Sequence, residues 1–246
     1  LLYAFKLKFP HNTYLLRGNH ETSSIGNFHD ECMVNLNKRC YSLFIKSFSY
    51  MPLTAILNRK VFCVHGGFSP SIIDVSEIDK IERPISDISF SIASDLLWSD
   101  PSPSVPKYTS SPRGNGVLFG ADAVDQFLGD NDLSLIIRAH QYCQDGFKWS
   151  LDDCLTIFSA SDYLGNGNNS GIVIIEQKDV AQDVDSSLIN TKLLNQFSKD
   201  NISNNLIKNN NTTLNEYSTF FGSIQIMKYL EVNDVEFTPS LWLYAV

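Results

Sequence analysis

Four short apolar runs in this chain end in the same way, and that shared ending constrains the fold more than any other feature. Tyr14-Leu15-Leu16 runs into Asn19-His20, and Val61–Val64 into His65. Leu135-Ile136-Ile137 runs into His140, and Thr156-Ile157-Phe158 into Asp162-Tyr163. Brief apolar runs bounded by glycine and polar residues read as buried strands. Open sheets place ligand-binding groups at the carboxyl ends of their strands. Neutral imidazole is the commonest transition-metal ligand, and an amide oxygen suits a hard divalent ion. A lone histidine after a strand is more often hydrogen-bonded for structural reasons. Three of the five histidines at one topological position are harder to assign to separate accidents. His11, in a turn, and His29, on a helix, fall outside the pattern and read as surface or packing residues. Gly18, Gly66 and Gly67 let the backbone turn sharply beside the polar ends.

Helical spacing surrounds these strands. Leu1, Leu2 and Phe5 repeat with a helical period until Pro10 stops the run. Phe28, Cys32, Met33, Leu36, Cys40, Phe44 and Phe48 recur at three- and four-residue steps, which predicts one long amphipathic helix ending before Pro52. Strands around Leu53–Leu57 and Val61–Val64 flank the turn Asn58-Arg59-Lys60. Residues 68–116 carry six prolines and read as loop, with a short helical piece at Ser94–Trp98. A helix at Ala121–Leu128 and strands at Leu133–Ile137, Leu155–Phe158 and Gly171–Glu176 follow. Residues 179–216 are rich in Asn, Ser, Lys and Asp, which predicts a disordered low-complexity insertion. Strand-like patterns return at Ser223–Tyr229 and Val235–Leu243. The expected organisation is thus a catalytic part over 1–178, the insertion over 179–216, and closing strands over 217–246.

Composition narrows the chemistry. Charged residues are 19% and hydrophobic residues 43%, so the chain has apolar material for a full core. A net charge of −8 opposes broad contact with a nucleic-acid backbone, although a local arginine or metal can still hold a phosphate on one protein side chain. The five cysteines are scattered and form no CxxC, which argues against a disulfide framework or a structural zinc site. Reduced thiols suit the cytoplasm or nucleus. No apolar run approaches the ~18 residues that span a bilayer.

Six segments, in order, then point further. Leu15-Leu16-Arg17-Gly18-Asn19-His20-Glu21 resembles the "LRGNHE" signature of the PPP family of metal-dependent protein serine/threonine phosphatases. His65-Gly66-Gly67-Phe68-Ser69-Pro70 is similar to its "HGGLSP", and Asp95-Leu96-Leu97-Trp98-Ser99-Asp100-Pro101 matches its "DLLWSDP". Arg113-Gly114 followed by Phe119-Gly120 resembles "RG…FG", Arg138-Ala139-His140-Gln141 matches "RAHQ", and Ser159-Ala160-Ser161-Asp162-Tyr163 resembles "SAPNY". The resemblance implies an α/β fold, a central β-sandwich flanked by helices in α/β/β/α layers. It implies two divalent metal ions (Mn, Fe or Zn), with Asn19, His65 and His140 as ligands of one of them. His20 is then the general acid that protonates the departing serine or threonine oxygen. Arg113 holds the phosphoryl oxygens, and Tyr163 offers its hydroxyl to the same phosphate. Phosphoproteins are the implied substrates and a regulatory or targeting subunit the implied partner, with no nucleic acid or membrane. Each role has a plainer counterpart: Asn19 as the cap of a turn, Arg113 as a solvated loop residue. Arg17 and Arg138 read as structural partners of buried carboxylates, Trp98 as core, and Glu21 and Asp162 as supporting carboxylates.

The family carries two earlier motifs, "GDxHG" and "GDxxDRG", and neither occurs in these 246 residues. They supply the ligands of the first metal and the bridging aspartate. The expectation is therefore a fragment cut upstream of Leu1, without efficient phosphatase activity by itself and either poorly stable or with an apolar edge exposed. Two other readings stay open: a catalytically dead phosphatase-like module that binds partners, and another metallophosphoesterase such as a diesterase or nuclease.

Overall fold

The computed structural model describes residues 2–23, 27–89, 91–175, 189–190 and 242–244. The chain opens with helix α1 (Leu2–Lys8), which carries Lys6 and Lys8 in its last turn where the helix dipole favours them. Strand β1 (Thr13–Leu15) follows. The long helix expected over 28–48 is instead two, α2 (Phe28–Asn35) and α3 (Lys38–Phe48). The break falls at Leu36, which leaves helical backbone at φ −133° and ψ −118°, and at the extended Asn37. The Asn37 side chain accepts the Cys40 N–H at 3.0 Å. Asparagine is among the strongest helix N-caps, so a residue that periodicity passes over starts a second helix.

Strands β2 (Thr54–Leu57) and β3 (Val61–Val64) form an antiparallel hairpin. Its turn places Asn58 (φ 47°) and Arg59 (φ 60°) in the left-handed region, the conformation that suits the twist of a hairpin. Next come α4 (Ser76–Asp79), α5 (Ile92–Trp98), β4 (Asp100–Pro101), β5 (Tyr108–Ser110) and β6 (Val117–Phe119). Residues 68–116 are mostly loop, as expected, but they hold more regular structure than the short helix expected at Ser94–Trp98. They contain α4 and two strands of a three-stranded sheet of order β4-β6-β5. These strands are two or three residues long, too brief for alternation to register. The chain continues through α6 (Ala121–Asp130), β7 (Leu135–Arg138), β8 (Phe147–Leu151), β9 (Cys154–Ile157), β10 (Ile174–Ile175), β11 (Ile189–Asn190) and β12 (Trp242–Tyr244). β8 was not expected. It alternates as Phe-Lys-Trp-Ser-Leu and lies at the edge of its sheet, where half of a strand stays polar.

The chain divides into two compact units. The first takes residues 1–15, 141–148 and 156–245. There β1 pairs in parallel with β12, Thr13 against Trp242, and β10 pairs antiparallel with β11, Ile174 against Asn190. Apart from 189–190, the expected insertion over 179–216 lies outside the described residues, as does the strand expected at 223–229. Of the strand expected at 235–243, β12 is the described part.

The second unit takes residues 16–140 and 149–155 and holds the hydrophobic core. β7 lies parallel to β3, with Val61 against Leu135 and Cys63 against Ile137, in a five-stranded sheet of order β2-β3-β7-β9-β8. Phe62, Val64 and Ile136 pack with Leu96 and Leu97 of α5 and with Val124 and Phe127 of α6. Phe68 stacks on Phe127 with ring centroids 4.3 Å apart. Val61, Cys63, Leu135 and Ile137, at the alternate positions, are buried as well. Continuous burial of both faces is what parallel strands require. Full burial of each large apolar side chain contributes about 1.5–3 kcal/mol. Mixed sheets flanked by helices make an α/β fold, and none of the five cysteines is in a disulfide.

Candidate functional site

Pairing of β3 with β7 builds the site. Two parallel strands present their carboxyl ends on the same side, and the Ala139 N–H donates to the His65 carbonyl at 3.0 Å, one step beyond both strands. His65 and His140 are thereby brought together, with ring centroids 5.0 Å apart. The Arg17 N–H donates to the Pro52 carbonyl at 2.8 Å, which fastens the Gly18-Asn19-His20 loop beside the start of β2. Asn19 is buried, and its Oδ1 lies 2.8 Å from His65 Nε2. The same nitrogen lies 3.2 Å from His140 Nδ1. The Asn19 amide does not cap its turn. That turn is closed by the Thr22 hydroxyl, which donates to the Asn19 carbonyl, and by the Glu21 N–H on the Gly18 carbonyl.

Two glycines make this approach possible. A Cβ on Gly18 would meet Glu21 Oε2 at 2.6 Å and His65 Nδ1 at 3.0 Å. A Cβ on Gly66 would meet the Leu97 backbone at 2.5 Å, and the Gly66 N–H donates to the Leu96 carbonyl at 2.8 Å. His140 holds a left-handed backbone at φ 62°, uncommon for a residue with a side chain and concentrated at functional positions. Trp98 packs against the core as expected, but it also meets the His140 ring edge-on with centroids 5.4 Å apart.

Asn19, His65 and His140 fit a divalent ion. Donors held at about 2.1 Å from one ion and at right angles to each other lie on the order of 3 Å apart. The two contacts above, 2.8 and 3.2 Å, match that edge. His140 Nε2 is buried without a hydrogen-bond partner, so the protein alone leaves this ring incompletely satisfied. Burial, then the positive charges of Arg138, Arg113 and His20, push the His140 pKa down to about 3. The ring is neutral at physiological pH and keeps a lone pair for a cation. Among the described residues no group of three or more His, Cys, Asp and Glu gathers, so the donor set is two imidazoles and one amide oxygen. His20 has an exposed side chain, yet partial desolvation of its ring lowers its pKa.

Arg113 is not a freely solvated loop residue. Its Nε donates to Asp100 Oδ2 at 2.6 Å, while Arg138 Nη2 donates to Asp100 Oδ1 at 2.7 Å. Asp100 is 3% exposed and Arg138 1%. Arg138 Nε also donates to the Gly66 carbonyl at 2.6 Å, which ties the arginine pair to the turn after β3. With Nε anchored, the Arg113 terminal nitrogens keep no partner among the described residues. Sequence reasoning foresaw a buried carboxylate for Arg138 but gave Asp100 no role. Arg17 meets the expected buried carboxylate, Glu21, through charge alone, while its Nε and Nη1 donate to the carbonyls of Glu21 and Ile85. Glu21 accepts the Gly18 N–H at 2.8 Å and so shapes the loop. Burial raises the Glu21 pKa, with Arg17 opposing the rise.

The remaining residues of interest belong to the first unit or to the surface. Tyr163 in the first unit packs edge-on against Phe158, and its N–H donates to Asn168 Oδ1 at 2.7 Å. Asp162, left-handed at φ 50°, accepts the Gly167 N–H at 3.0 Å and is a structural carboxylate as expected. His29 pairs with Asp30 on the surface, and His11 is exposed.

The profile of the calcineurin-like phosphoesterase family matches residues 1–144. That span takes in Asn19, His20, His65, Arg113 and His140 and ends before Tyr163. Among solved structures, the chain is similar to a protein serine/threonine phosphatase from Saccharomyces cerevisiae, described as having similarity to human phosphatase PP5. The two are 31% identical and superpose with a TM-score of 0.65, over 70% of this chain and 56% of the other. The chain thus spans little more than half the length of that relative.

Proposed function

The chain belongs to the calcineurin-like phosphoesterase family, with the sequence signatures of its PPP-type phosphatases, and from that premise we propose that the protein hydrolyses phosphoserine and phosphothreonine in other proteins. One observation carries the reading: Asn19 Oδ1, His65 Nε2 and His140 Nδ1 converge at the ends of parallel strands. They would hold one divalent ion, in a family that generally uses two. When bound, such ions supply a water acidic enough to attack phosphorus at neutral pH. The protein's own contributions are separate. Arg113, aimed by Asp100, presents its terminal nitrogens to phosphoryl oxygens, a geometry that guanidinium suits. His20 donates a proton to the departing alkoxide, worth roughly 10²–10⁴ in rate. Tyr163 adds a hydroxyl donor to the phosphate, on the strength of the resemblance alone. A regulatory subunit and a cytoplasmic or nuclear setting belong to the same proposal.

A second reading has one observation in its favour. Neither "GDxHG" nor "GDxxDRG" occurs in these 246 residues, so the chain by itself would bind partners without catalysis. Calorimetric titration with Mn²⁺ separates the outcomes. One equivalent is expected, and it should disappear in His65→Ala and in His140→Ala. The Mn²⁺-loaded chain should bind a phosphoserine peptide, about tenfold or more weaker in Arg113→Ala, and hydrolyse it only slowly. Two equivalents with rapid turnover would overturn the expectation of an inefficient chain. Absence of ion binding would remove the metal site itself.

A further inference from the structure

A cavity of about 460 Å³ lies in the second unit apart from the strand ends, lined by α3, by residues 84–86, and by Arg17 and Ser23. Its charge is one-sided. Arg17 and Lys46 line it, and no aspartate or glutamate does, in a chain with 27 acidic and 19 basic side chains. Arg17 is 2% exposed, and its two hydrogen bonds go to neutral carbonyls. Its Nη2 has no partner among the described residues. The Glu21 carboxylate acts on Arg17 through its charge, while Glu21 Oε2 accepts the Gly18 N–H. Lys46, exposed in the last turn of α3, has no carboxylate partner among the described residues either. The rest of the wall mixes Ile45, Ile85, Pro84, Tyr41 and Tyr50 with four serines. A buried guanidinium that keeps an unpaired donor and no carboxylate hydrogen bond is incompletely compensated, and an anion placed in the cavity would supply that partner.

We propose that this cavity binds a small organic phosphate, with its head on Arg17 and Lys46 and its body against the Tyr and Ile walls. Two cations match the charge of a phosphate monoester, about −1.5 to −2 at neutral pH, better than the single charge of a carboxylate. The volume falls in the range that holds a metabolite-sized ligand, about 300–1,000 Å³. Neither a metal nor Asn19, His65, His140 or Arg113 enters the site, so it stands or falls independently of the phosphatase reading.

Phenyl phosphate titrated calorimetrically into the full chain in EDTA provides the test. One molecule should bind per chain, at least about tenfold more tightly than inorganic phosphate or benzoate. Lys46→Glu, which replaces one of the two lining cations with a carboxylate, should weaken binding at least about tenfold while its thermal melt stays cooperative. Lys46→Gln should give a smaller loss in the same direction. Arg113→Ala should leave the affinity unchanged. A loss with Arg113→Ala equal to that with Lys46→Glu would place the probe at the proposed substrate site and overturn the inference. So would failure of phenyl phosphate to bind, equal affinity for inorganic phosphate, or binding of a phosphopeptide alone, which would point to a protein partner.

Discussion

Asp100 holds two arginines at once, one oxygen on buried Arg138 and the other on Arg113. Removing one partner of a buried charge set leaves the others uncompensated, which typically costs about 3–5 kcal/mol. Asp100→Ala is therefore expected to lower the urea unfolding free energy by about that amount. Asp100→Asn, which keeps one acceptor oxygen, should cost less. A loss under about 1 kcal/mol for the alanine variant would mean that the Gly66 and Ser99 carbonyls satisfy Arg138 by themselves. Cys154 gives a second expectation. It is fully buried, and desolvation raises its thiol pKa to about 12 from an ordinary value of 9.0. Between those values the unfolded chain has lost a proton that the native chain retains. The thiol's contribution is thus complete below pH 9 and declines as the pH rises toward 12, by up to ~1.4 kcal/mol per pH unit. Denaturant midpoints at pH 8 and pH 10 should fall less steeply in Cys154→Ala than in the natural chain, and an unchanged slope would exclude this thiol as a source.

Among the elements, the break between α2 and α3 turns on one side chain. Asn37→Ala removes the acceptor for the Cys40 N–H and should cost about 0.5–2 kcal/mol in a denaturation experiment. Asn37→Asp should be close to neutral, since both residues cap well. If alanine were equally neutral, the break would owe nothing to the cap and would be imposed by packing of Phe28 against Phe44 and Phe48. The strands show a different dependence. β3 and β7 are legible because buried parallel strands are nearly all apolar, and their ends are marked by an abrupt change to His65 and His140. β5 and β8 are partly exposed edge strands, so their local composition hardly differs from that of a loop.

At the scale of the molecule, the 246 residues themselves determine the set of candidate ligands. Asn19, His65 and His140 can be picked out because each lies within three residues of the end of an apolar run, a relation encoded among close neighbours. The family likeness is determined in the same local way, through short segments such as 95–101 that keep their order. Other features depend on partners far apart in the chain. Asp100 meets Arg138 across 38 positions, and among 27 acidic side chains no local pattern singles it out. The aim of Arg113 is set by that same carboxylate, and the pairing of His65 with His140 by the register of β3 against β7. The cavity around Arg17 and Lys46 likewise exists only once α3 and residues 84–86 face each other. Local sequence therefore determined which groups can do chemistry. Tertiary structure alone decided which of them meet, because burial makes one long-range pairing far better than its many competitors in water.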